Sequence, residues 1–169
     1  DVKDGEQIVR FSLDSKGEKI AEDEKHLKAF ARWFKGSKIV DDQGRPIVVY
    51  HGSPDVRGIF KDGFRAGMRG EVFFGAKDYS TANSYADDTR AYDYQNAEPH
   101  TIPLYLAIKN PLVIDADGRH WKETEKYIQM AKDGGHDGIV IQNSVDFYNN
   151  TPSAKPTDVY AWFAPNQAK

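Results

Sequence analysis

Ile47-Val48-Val49-Tyr50-His51-Gly52-Ser53 is the stretch whose reading decides the fold. Its β-branched and aromatic run predicts a strand over 46–50 that closes on a turn at His51-Gly52-Ser53. A histidine at the end of a buried strand, next to a glycine, is placed to face a cleft. The glycine lets a ligand approach the backbone, and its N–H and C=O can bind a flat amide. Taken alone, the tripeptide reads as a turn following a strand; its neighbours give it more weight.

Upstream, Leu27, Phe30, Ala31 and Phe34 recur at helical spacing, so 22–35 is expected to be a helix stopped by Gly36. Strand 38–41 and the turn Asp41-Asp42-Gln43-Gly44-Arg45 then lead into 46–50 like a hairpin. Residues 1–21 are polar apart from Ile8–Leu13, and read as a linker that docks a short strand. Downstream, Ile59 to Arg65 reads as a helical turn over 55–61, a glycine stop at Gly63 and an aromatic-plus-arginine exit. A strand at 71–74 and a helix at 79–86, capped by Asp78 or Ser80, follow. Strands at 102–109, 112–115, 138–142 and 158–163, and a helix at 120–133, complete the expected elements.

Composition sets bounds. The 169 residues make one ordinary domain, and 23 Lys+Arg against 26 Asp+Glu give a net charge of −3. That balance argues against broad phosphate-driven nucleic-acid binding. With no cysteine, disulfides, thiolate metal sites and a cysteine nucleophile are excluded. No apolar run approaches the roughly 18 residues of a membrane span. The chain opens at Asp1 without a signal-peptide pattern, and is expected to be a fragment of a longer protein.

Four groups of residues stand in a telling order: His51-Gly52-Ser53, Ile59…Gly63-Phe64-Arg65, Val72-Phe73-Phe74-Gly75 and Ala82-Asn83-Ser84-Tyr85. The set resembles the ADP-ribosyltransferase superfamily, in the branch of diphtheria-type toxins and poly-ADP-ribose polymerases. It is more closely similar to the ADP-ribosyltransferase domains of phage and mobile-element polyvalent proteins. Phe11-Ser12-Leu13-Asp14, Ser37 to Gly44, Asp137-Gly138-Ile139 and Pro165-Asn166-Gln167 extend the resemblance over residues 10 to 169.

The resemblance implies an α+β fold: a split, mostly antiparallel sheet in two halves with flanking helices and an NAD cleft between the halves. It implies that 22–169 is one catalytic domain. The implied activity is mono-ADP-ribosyl transfer. The nicotinamide–ribose bond of NAD is cleaved and ADP-ribose passes to a macromolecular acceptor, protein rather than nucleic acid, with no metal. It implies an effector or toxin module of a larger phage polypeptide, acting in a cytoplasm without a membrane partner, with an immunity or inhibitor protein as a further partner.

The same resemblance assigns residues. His51 binds a ribose hydroxyl or orients the dinucleotide. Gly52, with Ser53 beside it, grips the carboxamide through its backbone. Tyr85 stacks on nicotinamide, Ser80 or Thr81 bonds the carboxamide, and Arg65 contacts the diphosphate or adenosine. The sequence departs from the family at two positions. The second-strand tyrosine is replaced by Phe73, which can still stack. The glutamate that begins the last strand has no direct counterpart: counting back from Gln167 puts Val159 there, with Asp158 one residue earlier. A one-residue bulge would bring Asp158 into place; Gln167 and Asp146 are the alternatives. These departures motivate a second reading, a degenerate fold that binds NAD or a partner without transfer. A basic face of Lys61, Arg65 and Arg69 motivates a third, a nucleic-acid-modifying transferase.

Other signals carry less. Glu123-Thr124-Glu125 resembles the Glu-x-Glu of arginine-specific toxins but lies in the expected helix 120–133. Asp115-Ala116-Asp117-Gly118 lacks the glutamate of a calcium loop, Lys126 being there, and reads as a turn. His100, His120 and His136 have no metal-ligand spacing, and His26, on the expected helix 22–35, reads as a surface histidine. Residues 87–100 and 146–156 read as loops; the first fits a solvated connection as well as a cover over the cleft, and the resemblance implies that the second faces the acceptor.

Overall fold

Gly138-Ile139-Val140-Ile141 is buried residue after residue, as a strand covered on both faces must be. It belongs to β5 (Gly138–Ser144) of a six-stranded sheet. The computed structural model describes residues 2–55, 59, 63–64, 72–87, 98–120, 124–146 and 155–169. The other strands are β1 (Val49–Ser53), β2 (Phe73–Ala76), β3 (His100–Leu104), β4 (Pro111–Asp115) and β6 (Thr157–Trp162). Their order is β3-β1-β2-β6-β5-β4.

All neighbouring strands are antiparallel except β4 and β5, which run parallel. A parallel pair needs a crossover, supplied here by the helix Thr124–Asp133, labelled α4 below. The sheet is therefore mixed, and the fold is the expected α+β. The halves β3-β1 and β2-β6-β5-β4 join through a single register pair, Tyr50↔Ala76.

Side-chain alternation gives the sheet two buried faces. Val49, Phe73, Ile102, Val140, Tyr160 and Trp162 lie on one, with Phe64, Ile39 and Leu106 packed over them. Ala76, Ile139, Ile141, Val159 and Ala161 lie on the other, under Ala82 and under Ile128 and Ala131 of α4. Ala82 belongs to α3 (Tyr79–Ala86), whose N-cap is Asp78. Helix α2 (Glu24–Phe34) is capped by Asp23 and stopped at Gly36, whose φ of +84° is the left-handed conformation glycine adopts without cost. None of the described helices is long and apolar enough to cross a membrane.

Several boundaries differ from expectation. The first 21 residues do not dock a strand. Val2–Arg10 is a helix, α1, and Phe11 packs edge-on against Phe34 of α2 at 5.2 Å. Residues 12–20 then fold onto the domain. Asp14 is 3% exposed and accepts from the Lys16 and Glu18 amides and the Tyr105 hydroxyl. Residues 38–41 and 46–48 make isolated contacts, such as Val40↔Pro46, instead of strands. The strand forms later and continues through Ser53, because β3 pairs with it from Val49 to Ser53. The 102–109 strand stops at Leu104, where the chain turns to meet the C-terminus at Tyr105 and Lys169. Of 55–61, Asp55 and Ile59 are described; the Ile59 carbonyl accepts from Gly63 N–H, the expected glycine stop.

Candidate active site

The site is built by a ladder that stops. In the β1–β3 register, Tyr50 faces Pro103, which has no N–H to exchange. The hydrogen-bonded pairs are therefore Val49/Leu104, His51/Ile102 and Ser53/His100. Tyr50 and Gly52 must then direct their peptide N–H and C=O to the other edge, toward β2. There Tyr50 pairs with Ala76, and the register ends. The next pair would be Gly52 with Phe74. Instead, the Phe74 carbonyl accepts from Nδ1 of His51 at 2.6 Å. The two halves part at this point, with the Gly52 peptide groups aimed into the gap.

His51 is therefore a mid-strand residue, not the end of one. Its ring stands edge-on to Phe64 at 5.0 Å and to Trp162 at 6.2 Å. Burial lowers its pKa, partly offset by the bond to the Phe74 carbonyl. With Nδ1 donating its proton, the neutral ring presents Nε2 as an acceptor. No described residue hydrogen-bonds Nε2. The structure thus holds a fixed imidazole of one tautomer, able to accept a hydroxyl proton.

Gly52 has a second reason to be glycine. A Cβ there would lie 1.7 Å from the Ala82 carbonyl oxygen and 3.1 Å from the Ala86 nitrogen. The missing side chain is where α3 sits, so the close approach that glycine permits is made by a helix. What remains open to a ligand is the edge of the peptide, facing β2. Ser53 folds its hydroxyl onto the Asp55 carbonyl at 2.9 Å.

The other expected residues separate into two groups. Phe73 is 6% exposed, in ring contact with Phe64 and Trp162, because strand alternation turns it into the core. Its neighbour Phe74 is on the opposite face, half-buried and beside the gap. That aromatic was legible as the partner of Phe73 in a period-2 pattern, but burial had to decide between them. Ser80 and Thr81 give their hydroxyls to Asp78, and Thr81 is buried. They complete the helix cap. Burial alone would raise the Asp78 pKa, but the bonds from Ser80 and Thr81 outweigh it and lower it. Tyr85, further along α3, is 37% exposed and donates to Asp146. Arg65 lies outside the described residues, as do Lys61 and Arg69, most of 87–100 and most of 146–156.

For the displaced acid, the three candidates occupy different places. Asp158 shares the face of Tyr160 and Trp162, and so of His51; Val159 is buried on the other face. The irregularity does not lie in β6. It lies on β5, where Ile141 pairs with Val159 and Ser144 with Thr157, so Gln142 and Asn143 together oppose Asp158. Asn143 takes a φ of +54° and donates its N–H to Asp158 at 3.1 Å. Burial first, and the Asp158 charge second, raise the Tyr160 pKa, so its hydroxyl stays protonated. Asp146 is joined to Tyr85, at α3. Gln167 is fully used elsewhere. Its Oε1 accepts from the Phe163 and Ala164 amides, and its Nε2 donates to the Asp137 carbonyl at 2.9 Å. It ties the C-terminal turn to the start of β5.

Glu125 lies in α4 and Asp115–Gly118 forms a turn, as expected. Among the described residues there is no cluster of metal-ligating side chains. The family model for ADP-ribosyltransferases in polyvalent proteins matches residues 41–169, about three quarters of the chain. No curated protein matches it.

Proposed function

This chain belongs to the family of ADP-ribosyltransferases in polyvalent proteins, and we propose that its substrate is NAD, from which it passes ADP-ribose to a macromolecule. The observation that carries the reading is the interrupted ladder between Tyr50 and Phe74. A primary carboxamide has the donor and acceptor of a strand residue. Placed in the gap, its carbonyl accepts from Gly52 N–H and its NH₂ donates to Gly52 C=O. The nicotinamide ring then lies beside Phe74 and under α3, which carries Tyr85. The phenyl face offers a sequence-independent stacking surface, so a tyrosine hydroxyl on β2 is dispensable.

In the reaction the bond between ribose C1′ and the nicotinamide nitrogen breaks, and its electron pair leaves with nicotinamide. An acceptor lone pair forms the new bond to C1′, and the acceptor's proton goes to solvent or to a carboxylate. The transition state carries positive charge on the ribose, so fixed acceptors and anions near it lower the barrier. Nε2 of His51 accepts from a ribose hydroxyl, and Asp158, on the same face, serves as the anion. The acceptor is a protein, and the domain works as an effector module of a larger polypeptide.

Purified chain, labelled NAD and a bacterial lysate, with and without nuclease, test this. Label is expected on protein and reduced about 10²-fold by His51→Ala, the size of a lost transition-state contact. Label that nuclease removes would move the acceptor to nucleic acid. NAD bound but left intact would favour the non-transferring reading that the buried Phe73 motivates.

A further inference from the structure

We infer that Asp146 is a positioning residue, acting through the Tyr85 hydroxyl to fix that ring at the gap. The inference rests on NAD being the substrate. Tyr85 lies on α3 between Ala82 and Ala86, whose backbone atoms seat on Gly52. The tyrosine backbone is therefore anchored at the gap, while its side chain remains more than a third exposed. An exposed tyrosine on a helix distributes over several rotamers. Its bond to the Asp146 carboxylate selects one.

The bond also joins parts distant in sequence and fold. Tyr85 and Asp146 are 61 positions apart. Helix α3 packs on β1, whereas Asp146 follows β5, with β2 and β6 between the two strands. The tyrosine and the segment leaving β5 therefore meet across the face that carries Phe74, Val159 and Ala161. A ring held there gives a planar ligand in the gap a wall on the α3 side. The chemistry suits a lasting contact, because a hydroxyl donating to a carboxylate is stronger than a neutral pair.

Ordering the ring before the ligand arrives strengthens ground state and transition state alike, so its loss should appear in KM and spare kcat. The test measures initial rates of NAD consumption by the full chain against NAD concentration. Wild type, His51→Ala, Tyr85→Phe, Asp146→Ala, Asp146→Asn and the Tyr85→Phe/Asp146→Ala double variant are compared. Tyr85→Phe and Asp146→Ala are each expected to raise KM about tenfold, the scale of a lost charge-assisted hydrogen bond. The double variant should be no worse than either single one, and Asp146→Asn should recover part of the loss. Melting temperatures of the Tyr85 and Asp146 variants should stay near wild type, since Tyr85 is exposed and Asp146 only half-buried. An Asp146→Ala enzyme with wild-type KM, or losses that multiply in the double variant, overturns the inference alone while His51→Ala still lowers turnover about 10²-fold. A wild type that neither binds nor consumes NAD overturns the substrate reading, and this inference with it.

Discussion

Protonating His51 puts a charge on a ring packed against Phe64 and Trp162, whose one hydrogen-bonding partner among the described residues, the Phe74 carbonyl, already accepts from Nδ1–H. Burial lowers its folded pKa below the ordinary value of about 6.5. The sign follows directly. Below about 6.5 the unfolded chain takes up the proton more readily than the folded one, so stability is fully present above that pH and lost as pH falls toward the folded pKa. The slope is at most about 1.4 kcal/mol per pH unit for one proton. Acidification from about 6.5 to about 5 thus costs at most about 2 kcal/mol. For a domain of this size that is a drop in Tm of about 4–8 °C. The carboxylates with lowered pKa, such as Asp41 and Asp78, titrate only below about 4 and leave this window clear.

The assay is thermal unfolding by circular dichroism at several pH values between 7.5 and 5, for wild type and His51→Asn. Asparagine keeps an amide N–H for the Phe74 carbonyl but has nothing to titrate. The other histidines are common to both proteins, so the difference between the two pH slopes isolates His51. Wild type should lose stability more steeply. NAD turnover should fall only at the lower pH where the folded protein itself takes up the proton, because a proton on Nε2 turns the hydroxyl acceptor into a donor. Equal slopes for the two proteins would refute the buried neutral imidazole, whatever their absolute stabilities.

Two other perturbations separate packing from ligand contact. Gly52→Ala places a methyl 1.7 Å from the Ala82 carbonyl oxygen, so α3 must retreat by about 1.5 Å to reach ordinary contact; calorimetry should show a loss of at least about 1–3 kcal/mol, with NAD binding lost as well. Phe73→Ala empties a core position and should cost about 3–5 kcal/mol. Phe74→Ala should cost less stability but weaken nicotinamide inhibition more, and the reverse ranking by melting and inhibition assays would return the stacking role to Phe73.

Much of this fold is legible because its signals are local. The stripe of Leu27, Phe30, Ala31 and Phe34, the Asp78 cap, the stop at Gly63 and the buried run from Gly138 all follow from spacing within one turn or strand. What sequence pattern misses depends on partners far along the chain. Asp14 is a polar residue in a polar stretch, and its burial follows from the Tyr105 hydroxyl 91 positions away. Ser80, Thr81 and Gln167 carry groups suited to a ligand, yet backbone amides, carbonyls and the Asp78 cap use them first. The count from Gln167 falls on Val159, and alternation on β6 puts Asp158, not Val159, on the face of His51, with the bulge lying on β5.

The site itself needs three residues whose reasons are separate and whose effects coincide. Pro103 removes one ladder donor and thereby fixes which peptide groups of β1 face β2. A slip of one residue would turn His51 to the α3 face and the Gly52 amide toward β3. Gly52 lets α3 approach until it covers one face of the gap. His51 then satisfies the Phe74 carbonyl, which a continuing ladder would have bonded to Gly52. With that carbonyl occupied, β1 and β2 have no second pair with which to zip shut. The sheet stays open at the point where its own backbone offers a donor and an acceptor side by side. On the proposed reading, a bound carboxamide would take the place of a missing strand residue, and the histidine that holds the gap open would be the side chain that meets the sugar.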